Sequence, residues 1–113
     1  MKPKLQLMDA DTLLVMTTCP DEACAESLSR HLVEQSLASC INRLPGISSV
    51  YRWKGELKTG TEVLLLIKTA SKCWDRLEAE IKRLHPYELP EIIAVPITAG
   101  HKPYIDWIKA GTE

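Results

Sequence analysis

The chain has no phenylalanine, and its aromatic residues are three tryptophans and three tyrosines. Any core must therefore be aliphatic, built from Leu, Ile and Val with the larger rings at its margins. It also lacks an excess of either charge. Fourteen Lys and Arg against fifteen Asp and Glu leave a formal net charge of -1, and the basic residues are scattered, so no electrostatic footprint for nucleic acid or an anionic membrane is present. Apolar runs are short compared with the roughly 20 residues of a membrane-spanning helix. The first eleven residues lack the apolar middle of a signal peptide, so a cytoplasmic protein is expected. The four cysteines Cys19, Cys24, Cys40 and Cys73 contain no paired C-x-x-C units, which excludes the usual structural zinc framework. In a reducing compartment they read as free thiols. No H-E-x-x-H pair, glycine-rich phosphate loop or nucleophile elbow occurs, and no enzymatic activity is expected.

What the chain does contain is a regular succession of elements. Its 113 residues suit one domain, spanning 1–113, with 1–11 as a loosely held N-terminal segment on which Leu5, Leu7 and Met8 are candidate docking residues. Residues 12–18 form a short apolar run rich in strand formers. Pro20, Asp21 and Glu22 then mark a helix start, and Ala25, Leu28 and Leu32 follow at helical spacing to about Gln35. His31 reads as a surface histidine on this helix.

Residues 38–44 are the second strand, and Pro45-Gly46 marks a bend or bulge, after which alternation resumes toward Leu57. Lys58-Thr59-Gly60 carries a turn signal and residues 62–69 are the strongest strand, so the two arms form a long antiparallel hairpin with a further bulge at Gly55. Ser71 is a candidate cap for a second helix, with Trp74, Leu77, Ile81 and Leu84 on one face. Residues 92–97 form the last strand, demoted toward an edge by Pro96. Pro103 opens a final helix that should pack by Tyr104, Trp107 and Ile108 and stop at Gly111.

This order predicts an α+β fold: a ferredoxin-like split βαβ sandwich with a long β-hairpin and an extra C-terminal helix. The hairpin is longer than one compact sheet needs. An overhang carrying Tyr51 and Trp53 is an aggregation hazard unless something pairs with it, so the chain is expected to be a homo-oligomer whose sheets cover one another's edges.

The densest polar stretch is His85-Pro86-Tyr87-Glu88-Leu89-Pro90-Glu91, an imidazole, a phenol and two carboxylates between a helix and a strand. Prolines restrict both ends of it, as suits binding residues held on a stiff loop. Thiolate and imidazole are the donors preferred by copper and zinc, and Cys40 with His85 is the expected pair. Alternatively, Glu62, Lys68, Tyr87 and Glu91 line an intersubunit cleft, as in a small-molecule sensor or scaffold.

Leu37-Ala38-Ser39-Cys40-Ile41-Asn42, Pro45-Gly46, Ser49-Val50-Tyr51 with Trp53 and Gly55, Glu62-Val63, Ile67-Lys68-Thr69, His85-Pro86-Tyr87-Glu88, Pro90-Glu91-Ile92-Ile93, Tyr104 and Trp107 together resemble the CutA divalent-cation tolerance family. The resemblance covers nearly everything from residue 12 to 108. It implies a homotrimer joined through the long hairpins, weak binding of copper or another divalent metal ion, and a part in the response to metal ions. The copper site associated with the family uses a first-strand cysteine and two histidines before the H-P-Y loop. The second histidine matches His85, whereas the other two positions are Thr17 and Leu84 here. Cys19, two residues beyond Thr17 on the same side of a regular strand, and Cys40 complete the candidate metal set with His85. Animal members of the family are linked to anchoring of other proteins.

Overall fold

The computed structural model describes residues 10–113, so the docking role of Leu5, Leu7 and Met8 lies outside the described residues. In chain order the elements are β1 (Thr12–Cys19), α1 (Glu22–Glu34), β2 (Cys40–Trp53), β3 (Glu56–Ala70), a 3-10 turn (Ser71–Cys73), α2 (Trp74–Leu84), β4 (Ile93–Pro96) and α3 (Lys102–Ala110). The described strands form one antiparallel sheet in the order β2-β3-β1-β4. That is the order a ferredoxin-like split βαβ fold requires, with the C-terminal α3 added.

Strand alternation decides what faces the helices. On β1, Leu13, Val15, Thr17 and Cys19 are buried, and on β3, Val63, Leu65 and Ile67, and these pack with Ala25, Leu28 and Leu32 of α1 and Leu77 and Ile81 of α2. The opposite face is apolar without being buried. Leu14 and Met16 of β1 and Leu64 and Leu66 of β3 are half-buried there, flanked by Leu44, Ile93 and Val95, each 40% exposed or more.

Among the described residues two buried hydroxyls lack a hydrogen-bond partner, Thr17 on the core face of the sheet and Ser29 on α1. Thr17 Oγ1 is fully buried with no hydrogen-bond partner, and an unsatisfied buried hydroxyl costs about 1–3 kcal/mol. Thr17→Val keeps the shape and removes the orphan, so it should stabilise the chain by about 1 kcal/mol. A higher urea midpoint with unchanged slope is the result to look for.

The hairpin differs from the sequence expectation in its turn. Trp53 pairs with Glu56, leaving Lys54-Gly55 as a two-residue loop with φ of 52° and 82°, the left-handed pair that a type I′ turn requires. Gly55 is thus the turn itself and not a bulge, while Gly60 pairs with Ser49 inside the strands. The bulge at Pro45-Gly46 is present, as the register shift between Leu44 and Ile47. The arm beyond it is uncovered: Val50 is 65% and Leu57 68% exposed. α3 does not cover this overhang but packs at the other end, where Ser39 Oγ donates to the Ile108 carbonyl at 2.5 Å.

Three smaller expectations also shift. Ser71 does not cap α2; its hydroxyl donates to the Ala10 carbonyl, and the 3-10 turn makes the helix entry without a side-chain cap. Leu84 is exposed rather than on the core face. α3 buries Ile108 alone, while Tyr104 and Trp107 stack on each other at 5.4 Å and face outward.

His31 is more than a surface residue. Its Nε2 lies 2.5 Å from Glu80 Oε2, tying α1 to α2, and Arg83 forks onto the same carboxylate at 2.7 and 3.0 Å. Chiefly through the Arg83 hydrogen bond and then the His31 one, the Glu80 carboxyl falls from 4.5 to about 2. A depressed folded-state pKa contributes stability that is fully present above the unfolded value and is lost as pH falls from there through the folded one. Glu80→Gln should therefore flatten the loss of stability between about pH 4.5 and pH 2, read as denaturation midpoints across that window.

Candidate functional site

The loop after α2 is positioned by His85. α2 stops there because Pro86 forces the preceding residue out of helical conformation, and His85 has φ -77° and ψ 138°. Its ring, 8% exposed, turns inward. Nε2 donates to the Thr18 carbonyl at 2.7 Å, and Nδ1 accepts from the Tyr87 amide at 3.1 Å. The ring also lies 4.8 Å from that of Tyr87. One imidazole thereby fastens the loop to the end of β1.

Held this way, Tyr87 donates its hydroxyl to Glu62 Oε2 at 2.7 Å, and Ser49 Oγ donates to Glu62 Oε1, also at 2.7 Å. Both oxygens of one β3 carboxylate are fixed by donors from two different elements. Burial first, and then Glu62, push the Tyr87 phenol well above its usual range, so it remains a neutral donor. Around this centre lies a crevice of about 730 Å³, walled by Ser49, Val50, Tyr51, Arg52 and Trp53 of β2, Thr18 and Glu62 on its floor, and Pro86, Tyr87, Glu88, Leu89 and Glu91 of the loop. Glu62, Tyr87 and Glu91 line this crevice within the single chain. Lys68 does not. It lies farther along β3, opposite Cys40, and donates to Asn42 Oδ1.

The expected Cys40–His85 pair is not brought together within the chain. Cys40 pairs with Lys68 at one end of β3, whereas the Thr18 carbonyl that holds His85 is opposite Leu64. Four strand residues, about 13 Å, separate those levels. Cys40 instead lies beside Tyr104, where burial first and then Cys40 raise the phenol's pKa. Both nitrogens of His85 are already engaged. Cys19 does share the Thr17 face of β1, but it is fully buried in the core, and burial is the largest of the causes that push its thiol up to about 12. A thiolate is the form that binds metal, so Cys19, Cys40 and His85 do not fit a common copper or zinc site in this chain. Among the described residues no three His, Cys, Asp or Glu side chains are grouped to hold a metal ion.

Ser49, Thr18 and Arg52 line the crevice without being candidate site residues in the sequence. Ser49 was findable only from the hairpin register, because a turn at Lys54-Gly55 brings it beside Glu62, and a turn at Lys58-Thr59-Gly60 does not.

Comparison with known proteins agrees with this architecture. The profile of the family described as CutA1 divalent ion tolerance protein matches residues 13–111. The chain is 43% identical over 99 residues to the divalent-cation tolerance protein CutA of Thermus thermophilus, covering 88% of this chain and 96% of that protein. It is 43% identical over 96 residues to human protein CutA, with 85% of this chain matched, and spans about half the length of that relative, 54%. The Thermus thermophilus crystal structure superposes with a TM-score of 0.88 at 42% identity, over 90% of this chain and 99% of that one. That of Archaeoglobus fulgidus, described as a periplasmic divalent cation tolerance protein, gives 0.87 at 34% identity, over 90% and 99%. Both fold and sequence place this chain in the CutA1 divalent ion tolerance protein family.

Proposed function

We propose that the chain works as a cytoplasmic homotrimer in the response to divalent metal ions, taking up copper or another divalent ion weakly and catalysing nothing. Family membership carries this reading, and the crevice supplies its chemistry. Carboxylate oxygens suit hard and borderline divalent ions. Glu62 is oriented by two hydroxyl donors, with Glu88 and Glu91 on the facing loop. These oxygens line one crevice without converging on one point, which is the basis for weak uptake completed by water or a neighbouring subunit. The half-buried leucines and Met16 on the helix-free face of the sheet, with the exposed hairpin arm, supply the apolar surface that copies of the chain would cover.

One observation favours a second reading. At about 730 Å³ the crevice has the size of a small-molecule site, typically about 300–1,000 Å³, and Tyr51 and Trp53 would give it stacking surfaces. On that reading the trimer is a sensor or scaffold and metal binding is incidental.

Calorimetric titration of Cu(II) and Zn(II) into reduced protein of verified mass separates the two. The cation reading predicts saturable heat that Glu62→Gln weakens about tenfold, as expected for loss of one charged donor worth about 1.4 kcal/mol, and that Cys40→Ser leaves unchanged. Heat abolished by Cys40→Ser and indifferent to Glu62→Gln would remove the crevice assignment. No saturable metal binding, together with thermal stabilisation by a metabolite in the presence of chelator, would favour the sensor.

A further inference from the structure

The crevice beside Glu62 is long, and both of its ends suit a cation. Ser49, Tyr51 and Trp53 line it, and the regular pairing from Ile47 to Trp53 puts these alternate residues on one face of β2. Its wall therefore runs four strand residues, about 13 Å, from Ser49 to Trp53 beside the hairpin turn. The inner end is a carboxylate held in place. Ser49 and Tyr87 each donate to one oxygen of Glu62 at 2.7 Å, and a carboxylate oxygen that accepts one hydrogen bond keeps capacity for another. The outer end is the Trp53 ring near a second carboxylate, Glu88, and an ammonium group already stands there. Lys54 Nζ lies 5.7 Å from the centroid of the Trp53 ring and 4.0 Å from Glu88 Oε1, within reach of the attraction that an aromatic face exerts on a cation. The hold is loose. The side chains of Lys54 and Glu88 are 71% and 75% exposed, and an ion pair so open to water is weak enough for another ammonium group to replace it.

We propose that the crevice binds a linear aliphatic polyamine, with one terminal ammonium group at Glu62 and the other on the Trp53 face beside Glu88, where it displaces the ammonium of Lys54. Charge and shape select this class. Glu62, Glu88 and Glu91 line the crevice against one cationic residue, Arg52, a balance that attracts cations and repels anionic metabolites. A metal ion is a point charge and reaches one end only. A chain with ammonium groups at both tips reaches both, and its methylenes lie along Tyr51 and Leu89, which line the stretch between. Lys54 is then a tethered competitor that occupies the outer position when no ligand is present. The inference rests on the crevice being the site of cation uptake, and adds an organic cation to the metal ions proposed for it.

The test is calorimetric titration of spermidine into the reduced full chain, stripped of metal on a chelating resin, with Cu(II) and Zn(II) titrated into separate samples of the same protein. Saturable spermidine binding is expected. Trp53→Leu should weaken it about three- to fivefold, the size of a cation–aromatic contact at an open site, and Glu62→Gln about tenfold, as for loss of one charged partner. Lys54→Gln should strengthen it about threefold by freeing the Trp53 face. This gain is the decisive sign, because a variant that merely disturbs the fold would lose affinity. Lys58→Gln removes the same charge from the neighbouring strand, where Lys58 pairs with Glu56 at 3.3 Å, and should leave binding unchanged. Butylamine, with a single charge, should not saturate over the same concentrations. Absence of saturable spermidine binding, a loss of affinity in Lys54→Gln, or an equal gain in Lys54→Gln and Lys58→Gln, which would reduce the effect to net charge, would each overturn the polyamine assignment. If metal binding that depends on Glu62 persists in that case, the crevice keeps its metal role and loses only the organic ligand; if metal binding is absent too, the crevice assignment falls with it.

Discussion

Replacing His85 by alanine should cost about 3 kcal/mol of folding stability, because it would strand a buried carbonyl and a part-buried amide at once and leave the volume of the ring empty. In the folded chain Nε2 donates to the Thr18 carbonyl at 2.7 Å and Nδ1 accepts from the Tyr87 amide at 3.1 Å. Alanine can do neither. Leaving a buried donor or acceptor unpaired costs about 1–3 kcal/mol, and the void left by the ring adds to that. Water entering the void would recover part of the loss, which sets the estimate below the sum. The effect should reach beyond stability. With its anchor gone, the loop no longer fixes Tyr87 against Glu62, so cation uptake should weaken together with the denaturation midpoint. A variant with less than about 0.5 kcal/mol of change would behave like an ordinary surface substitution, and would show that the imidazole is not the fastening this account makes it.

The second large effect concerns the helix-free face of the sheet. Leu66 sits in the middle of β3, paired with Met16 and Asn42, and is half-buried in the single chain. In an isolated protomer Leu66→Glu at this half-buried position would cost about 1 kcal/mol, the ordinary size of a point-mutation effect. In the proposed trimer it puts an unpaired carboxylate into an apolar interface, where an uncompensated buried charge costs about 3–5 kcal/mol. The expected result is a fall in solution mass to that of one chain, with a large loss of thermal stability at micromolar concentration. Unchanged mass and stability would mean that this face is not where copies meet.

Much of the architecture was readable before any coordinates, and the misses have physical causes. The runs rich in strand formers at residues 12–18 and 62–69 and the Asp21 helix start identify β1, β3 and α1, because these signals are local. The hairpin turn was misplaced because Lys54, a residue with no turn preference, takes a left-handed conformation that Gly55 makes affordable, while Thr59-Gly60 resembles a turn and lies within a strand. Tyr104 and Trp107 form an apolar stripe, but periodicity cannot say whether a stripe meets a core or another surface. The site was half legible. Glu62, Tyr87 and Glu91 line the crevice, whereas Cys40 and Lys68, partners across β2 and β3, lie four strand residues away from the level of His85, a register that residue type does not encode. His85 itself was read as a donor awaiting a metal. Its inward turn and double hydrogen bond depend on Thr18, 67 residues away, and no sequence spacing announces that.

The sharpest single test is sedimentation equilibrium of the reduced wild-type protein at micromolar concentration. The account predicts one species of three times the 12.7 kDa chain mass, persisting on dilution, with its apolar sheet faces covered. A well-folded species of 12.7 kDa with full thermal stability would contradict it.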